Sequence, residues 1–310
     1  MWKCDVIMKN YVKQHTEQDM YEIGAPEAGY IYSNKNGWKD FAVHDSMIFS
    51  HRDNDYTAEN FYEGFHSHDY YEVVFYISGK VEYVCENDVF KPGAGMVVAS
   101  LPDTMHTARL LDASRYQRFV FYFKRDFFTY CGQEVPLPAF FEGHGGHGAF
   151  QPDATLYEKL LRLAEEAESA ALMASVEGRV LAYSYIIQFF ALLCGVDFAA
   201  SENNDKLPEN VARIKKYIDT YYSSIEGVSE IASYFFYSRE HASRLFRQYF
   251  NITLSEYLMQ RRVAESAKLL ADGQSVTQAC YAVGFRSVSS YINAFRRIMG
   301  CLPSEYKKRK

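Results

Sequence analysis

The sequence predicts an α+β protein of two domains. Residues 1–200 form an N-terminal β-barrel or jelly-roll with flanking helices, 201–206 a polar linker, and 207–310 an all-α domain with two helix-turn-helix units. Three observations carry this prediction. Short apolar runs punctuated by Gly, Pro and Asn turns succeed one another between Phe61 and Tyr122. A helix–turn–helix pattern occurs twice after Ile225. Charge divides between the halves: 207–310 carries 16 Lys and Arg against 9 Asp and Glu, net +7, while 1–206 carries 17 against 30, net −13.

In chain order, residues 1–60 alternate aromatic pieces such as Tyr30-Ile31-Tyr32 and Met47-Ile48-Phe49 with polar loops, a pattern of short strands without a functional signal. From Phe61 the strands are plainer. Glu72 to Ile77 leads through Ser78-Gly79-Lys80 into Val81 to Cys85, and Asn87-Asp88 marks the next turn. Lys91-Pro92-Gly93 precedes Met96 to Ala99, Pro102-Asp103 precedes His106, and Arg118 to Tyr122 reads as a closing strand. His66, His68 and Glu72 share one parity, so a continuous strand would place them on one face, with His106 arriving from a facing strand. Three imidazoles and a carboxylate are a sound ligand set for a divalent metal. The same four residues can bind a hydroxyl-rich effector through hydrogen bonds, with a carbohydrate among the candidates. Tyrosines and phenylalanines nearby stack on such a ligand or serve as ordinary strand formers.

Cys131 to Pro152 reads as a loop, with prolines at 136, 138 and 152 and the run Gly143-His144-Gly145-Gly146-His147-Gly148, whose glycines leave its two histidines unorganised as ligands. Asp153 to Met173 is an amphipathic helix, with Leu156, Leu160, Leu163 and Ala167 on one stripe. Val176 to Cys194 is apolar nearly all round and needs cover on several faces. The barrel supplies one cover and a second copy of the chain another, so a homodimer is expected. Its longest apolar run, Val180 to Cys194, is short of the roughly 20 residues of a membrane span. The opening MWKCDVIMKN lacks a signal-peptide core, and the six cysteines (4, 85, 131, 194, 280, 301) form no CxxC pair. A cytoplasmic protein with reduced thiols and no membrane partner is expected.

The C-terminal domain opens with a helix from Glu209 to Tyr222. The two units run Val228 to Phe250 and Ser275 to Met299, with Ser238 and Ser287 as N-caps of their second helices. In the first, Ala242, Leu245, Phe246 and Phe250 fall on an inner face, and Glu240, Ser243, Arg244 and Arg247 on an outer one. In the second, Tyr291, Phe295, Ile298 and Met299 point inward, and Ser289, Ser290, Asn293 and Arg296 outward. Such helices suit the major groove of double-stranded DNA, and the local surplus of positive charge suits phosphate contacts. Arg244, mid-face, is the first candidate for a base contact, flanked by Glu240 and Ser243; Arg239 and Arg247 serve equally well on phosphates.

At these residues the chain resembles the AraC family of transcription regulators. The resemblance lies in SREHASRLFRQYFNITLSEYL, the connecting RRVAESAKLL, the turn AVGF and the ending LPSEYKK, and covers the last hundred residues. NITLSEYL and GCLPSEYK look like one repeated device closing each unit. Asn293 stands where the family often has Arg, which weakens the second reading head. The barrel stretch 61–125 resembles a cupin: His66-x-His68-x-x-x-Glu72, then Gly79, then Lys91-Pro92-Gly93 and His106 after Pro102. It departs in the second motif, where the proline-to-histidine spacing is one residue shorter and the intervening Gly is absent. That departure is expected to carry His106 away from bonding distance. The resemblance implies a sequence-specific regulator whose cupin-like domain senses a small-molecule effector, dimerises through the helices at 153–194, signals through them, and has no enzymatic activity. A second reading is a metal-dependent cupin enzyme fused to a DNA-binding domain.

Overall fold

The computed structural model describes residues 20–23, 31–34, 38–44, 47–56, 65–68, 70–102, 104–112, 114–124, 127, 129–130, 133–134, 147–194, 204–299 and 301–309. The N-terminal half is built on two facing sheets. Eight strands form the larger, in the order β1 (Met20–Ile23), β2 (Ile31–Asn34), β3 (Trp38–His44), β4 (Met47–Tyr56), β10 (Ser114–Phe123), β5 (Tyr71–Ser78), β8 (Val97–Ser100) and β13 (His147–Phe150). The smaller runs β14 (Asn204–Lys206), β7 (Asp88–Phe90), β6 (Val81–Cys85), β9 (His106–Leu110). Their arrangement is jelly-roll-like. A hairpin of β11 (Thr129–Tyr130) and β12 (Gln133–Glu134) stands apart.

Parity along the central strands assigns two cores. Met47, Phe49, Val73, Phe75, Phe119, Phe121 and Phe123 point away from the smaller sheet and meet α1 (Ala154–Ala171) and α2 (Val176–Cys194). Ile48, Val74, Tyr76, Tyr116, Val120 and Tyr122 point between the sheets. Both faces of β5 are therefore buried, which explains its near-continuous apolar reading. In α1, Asp153 caps the first turn by accepting from Leu156 N. By length and composition α2 is apolar enough to cross a membrane. Its inner residues, Ala182, Ile186, Phe189 and Phe190, pack on the barrel, with Phe189 and Phe190 against Phe121.

Two stretches differ from expectation. Within the expected loop, residues 147–150 pair with β8 as an edge strand; the run Gly148-Ala149 lacks the β-branched residues that signal one. Within the expected linker, residues 204–206 pair with β7, and Lys206 and Lys91 bond Asp88 and Asp205. Charged residues on a short edge strand read as linker in sequence. His144 lies outside the described residues.

The C-terminal half is helical: α3 (Glu209–Tyr221), α4 (Val228–Tyr234), α5 (Arg239–Phe250), α6 (Leu254–Ala271), α7 (Val276–Ala282), α8 (Val288–Met299) and α9 (Pro303–Arg309). The first unit is α4–α5, the second α7–α8, and α6 joins them. Capping boxes start α6 (Thr253 with Glu256) and α7 (Ser275 with Gln278). Arg262, on α6, donates to the carbonyls of Tyr222 (2.8 Å) and Ile225 (2.6 Å), tying the joining helix to the turn after α3.

Candidate functional site

The second helix of each unit, α5 and α8, has the cap and the inner and outer faces that the sequence predicts. Ser238 Oγ accepts from His241 N at 3.1 Å and Ser287 Oγ from Ser290 N at 3.4 Å. Ala242, Phe246 and Phe250 are buried, with Leu245 half-buried; Tyr291 and Phe295 are buried, with Ile298 and Met299 half-buried. Arg239, Glu240, Arg244, Arg247, Ser289, Ser290, Asn293 and Arg296 are exposed and Ser243 partly so. Arg244 donates to His241 Nδ1 at 3.3 Å, one turn back along the same face.

The turns of the two units are not equivalent. Gly284 has φ +87, and a Cβ there would lie 2.1 Å from the carbonyl oxygen of Ser223. Only glycine fits. Phe236 holds the corresponding place in the first unit at φ 57, with a side chain 96% exposed.

The histidine cluster forms, though not by the route the parity suggests. β5 begins at Tyr71, so His66 and His68 precede it and share no strand with Glu72. His66 instead forms an antiparallel bridge to His106 at the start of β9. One ligand atom from each of His66, His68, Glu72 and His106 falls within a set whose members lie within 4.8 Å of one another. The shorter spacing before His106 therefore does not carry it away, because the bridge to His66 fixes its backbone.

Hydrogen bonding sets the tautomers. His68 Nδ1 donates to Tyr70 O at 3.0 Å, and His106 Nδ1 donates to Thr104 O at 2.9 Å. A carbonyl can only accept, so both imidazoles turn Nε2 inward, where Glu72 Oε2 lies 3.0 Å from one and 3.3 Å from the other. In neutral imidazoles those Nε2 atoms are bare acceptors facing an acceptor. Such an arrangement calls for a proton or a cation at its centre. Burial pushes the His68 imidazole down, against the hydrogen bond to Glu72 that raises it. Burial alone would raise Glu72; the His106 charge and the hydrogen bonds from both histidines hold it well below the usual carboxylate range. Sequence reasoning missed the surroundings. Tyr70 stacks on His68 at 3.7 Å, Tyr83 stacks on His106 at 5.7 Å, and the Tyr83 hydroxyl and Ser100 Oγ share a hydrogen bond of 2.8 Å.

The cluster adjoins the joint between the halves. Phe65 packs its ring against Phe250 (4.6 Å) and Tyr257 (5.7 Å), and its amide donates to Phe250 O at 3.2 Å. Met105, Val84 and Val89 join the same buried cluster. Lys215, 2% exposed, donates to Glu86 (2.6 Å) and Asp219 (2.9 Å), and Tyr257 donates to Asp219. Arg109 Nη1 and Asn251 Nδ2 add bonds to Gln248 O and Ala108 O. Among the described residues, Phe65, Val84, Val89 and Met105 form the barrel side of this joint.

Residues 49–184 match the family model of the AraC-like ligand binding domain, and residues 231–309 that of a helix-turn-helix domain. The Msm operon regulatory protein of Streptococcus mutans is 31% identical over 108 residues, which is 34% of this chain and 39% of that protein. The probable transcription factor PqrA of Proteus vulgaris is 29% identical over 106 residues, 33% of this chain and 87% of that protein. Matches to the relatives that lead by similarity span about two fifths or less of their length. Among solved structures, ToxT of Vibrio cholerae with a bound unsaturated fatty acid aligns at TM-score 0.37 and 15% identity, covering 85% of this chain and 95% of that one.

Proposed function

We propose how this chain, which belongs to the AraC family of transcription regulators, works: residues 207–310 read duplex DNA with two helices, and the N-terminal domain holds a small-molecule effector that governs them. The observation that carries the DNA reading is the pair of exposed polar faces on α5 and α8, borne by the half with net charge +7. Arg244 reads a base, with Glu240 and Ser243 beside it; Arg239, Arg247 and Arg296 neutralise phosphates. Two reading helices tied by α6 address successive major grooves, about 34 Å apart. Ser289, Ser290 and Asn293 present shorter groups, so the second unit contributes less.

The effector sits between the sheets beside His66, His68, Glu72 and His106. The inward Nε2 atoms and the ionised carboxylate fit a divalent cation, which those four residues would hold, and a bound cation would offer Lewis acidity to a ligand oxygen. Elemental analysis of protein purified without an affinity metal tests this: about one equivalent is expected, lost in Glu72→Gln, and a metal-free wild type contradicts it. The regulator names of the relatives support sensing over turnover, and a cytoplasmic setting.

A homodimer is supported by the outer surface of α2 and its approach: Leu172, Met173, Val176, Val180 and Leu181 are exposed. Sedimentation of the full chain and of Val180→Glu separates dimer from monomer. The DNA reading is tested by fluorescence anisotropy of the full chain on duplex DNA at two salt concentrations. Binding that weakens steeply with salt is expected, as is a loss of roughly 1–3 kcal/mol in Arg244→Ala. Binding indifferent to salt and to Arg244 would contradict it.

A further inference from the structure

We propose that His241 is a second base-reading residue on α5: held by Arg244, it offers one N–H to the base beside the one that Arg244 reads, and so rejects cytosine there. The inference rests on the DNA reading above and deepens it.

His241 and Arg244 stand one helical turn apart on α5, and both are exposed. Arg244 Nη2 donates to His241 Nδ1 at 3.3 Å. A guanidinium has no acceptor, so Nδ1 offers its lone pair and the neutral ring carries its proton on Nε2. Nε2 lies on the side of the ring away from Arg244, and no hydrogen bond among the described residues takes its N–H. Glu240, the nearest carboxylate in sequence, turns instead to the start of the helix. There its own amide and Ser238 hold its carboxyl below the usual range.

Two further contacts fix the imidazole. Ser238 Oγ accepts from the His241 amide at 3.1 Å, and the Tyr237 ring meets the imidazole edge-on at 4.9 Å. Tyr237 is itself packed on the core of this half. The donor is thus presented from a capped helix start.

The chemistry of the groove decides what such a donor reads. In the major groove guanine and adenine present N7 as an acceptor and thymine presents O4, whereas cytosine presents its N4 amino donor. A single N–H pairs with any of the first three. At cytosine donor faces donor, and both go unpaired. With one N–H spent on His241, Arg244 keeps enough donors for bidentate pairing with guanine. The 3.3 Å contact between the two side chains is close to the step of roughly 3.4 Å between successive bases, so the pair addresses neighbours. Together they specify a guanine beside any base but cytosine.

The test uses the full chain and the duplex that it selects most tightly from a random library, with each base pair replaced in turn by the other three. Anisotropy reads the affinities. Arg244→Ala marks the position that Arg244 reads by relaxing it. At a position next to that one, cytosine is expected to weaken wild-type binding about tenfold or more relative to guanine, adenine and thymine. His241→Ala keeps the backbone bond to Ser238 and is expected to bring that penalty within about twofold. His241→Gln can accept from Arg244 through its amide oxygen and offer its amide N–H outward, so the penalty is expected to return. A penalty absent from the wild type, or unchanged in His241→Ala, overturns the inference and leaves the reading by Arg244 standing. A penalty lost equally in both variants overturns the donor assignment. Should Arg244→Ala relax no position, the DNA reading falls and this inference with it.

Discussion

His66 and His106 exchange backbone hydrogen bonds, each amide donating to the other's carbonyl at 2.9 Å. Each is one residue from a side chain buried in the joint to the C-terminal helical half, Phe65 and Met105. A ligand that drew the imidazoles together would act on a hydrogen-bonded pair of backbones, one of which continues into Phe65, whose ring packs on Phe250 and Tyr257. Two packings of that joint, one favoured with effector bound, are what a sensor of this design needs.

Phe65→Ala is expected to cost about 3–5 kcal/mol of stability, since it removes a fully buried ring from between Phe250 and Tyr257. Denaturant unfolding measures the loss. The same variant is expected to bind DNA with a weakened response to effector, because the residue next to His66 no longer touches Phe250 and Tyr257.

The joint is also expected to weaken in acid. Burial would raise the Glu86 carboxyl, but the charge and hydrogen bond of Lys215, with the amide of Met105, hold it below the usual range. Its contribution is thus complete above the unfolded value of about 4.3 and is lost as pH falls through the lower folded value. For Lys215 burial acts downward, yet Asp219 and Glu86 hold it above its usual value. Its contribution is complete below about 10.4 and is lost as pH rises through the higher folded value. Lys215→Met is expected to cost roughly 1.5–3 kcal/mol at neutral pH and to flatten the acid limb of a stability–pH series. An acid limb of unchanged slope contradicts the assignment.

The two turns predict opposite mutational signs. Phe236→Gly relieves a left-handed backbone that costs a bulky residue about 1–2 kcal/mol, so a rise in melting temperature is expected. Gly284→Ala adds a methyl against the Ser223 carbonyl and should destabilise by more than about 1 kcal/mol. Thermal melts of the two variants decide both.

Legibility in the sequence followed the range of the interactions. The helix-turn-helix units, their Ser238 and Ser287 caps and their outer faces rest on contacts within four residues, which periodicity records. His66, His68, Glu72 and His106 were found by spacing and do converge, although the strand parity offered as the reason does not apply to the two that precede β5. The burial of Arg52 and Arg118 was hidden: Arg118 opens the run RFVFY, which reads as an apolar strand, and its place opposite Arg52 is known only once β10 is set against β4. The joint was hidden too, because Phe65 and Phe250 each fit a local pattern and their meeting is purely tertiary.

The most direct measurement of the central claim is selection of duplexes from a random library by the full chain, followed by anisotropy on the selected site. Two conserved boxes with centres about one helical turn apart are expected. Arg244→Ala should relax one position in one box, and binding should fall steeply as salt rises. A single uninterrupted box, or selection of no sequence at all, would contradict a chain that reads DNA with α5 and α8 together.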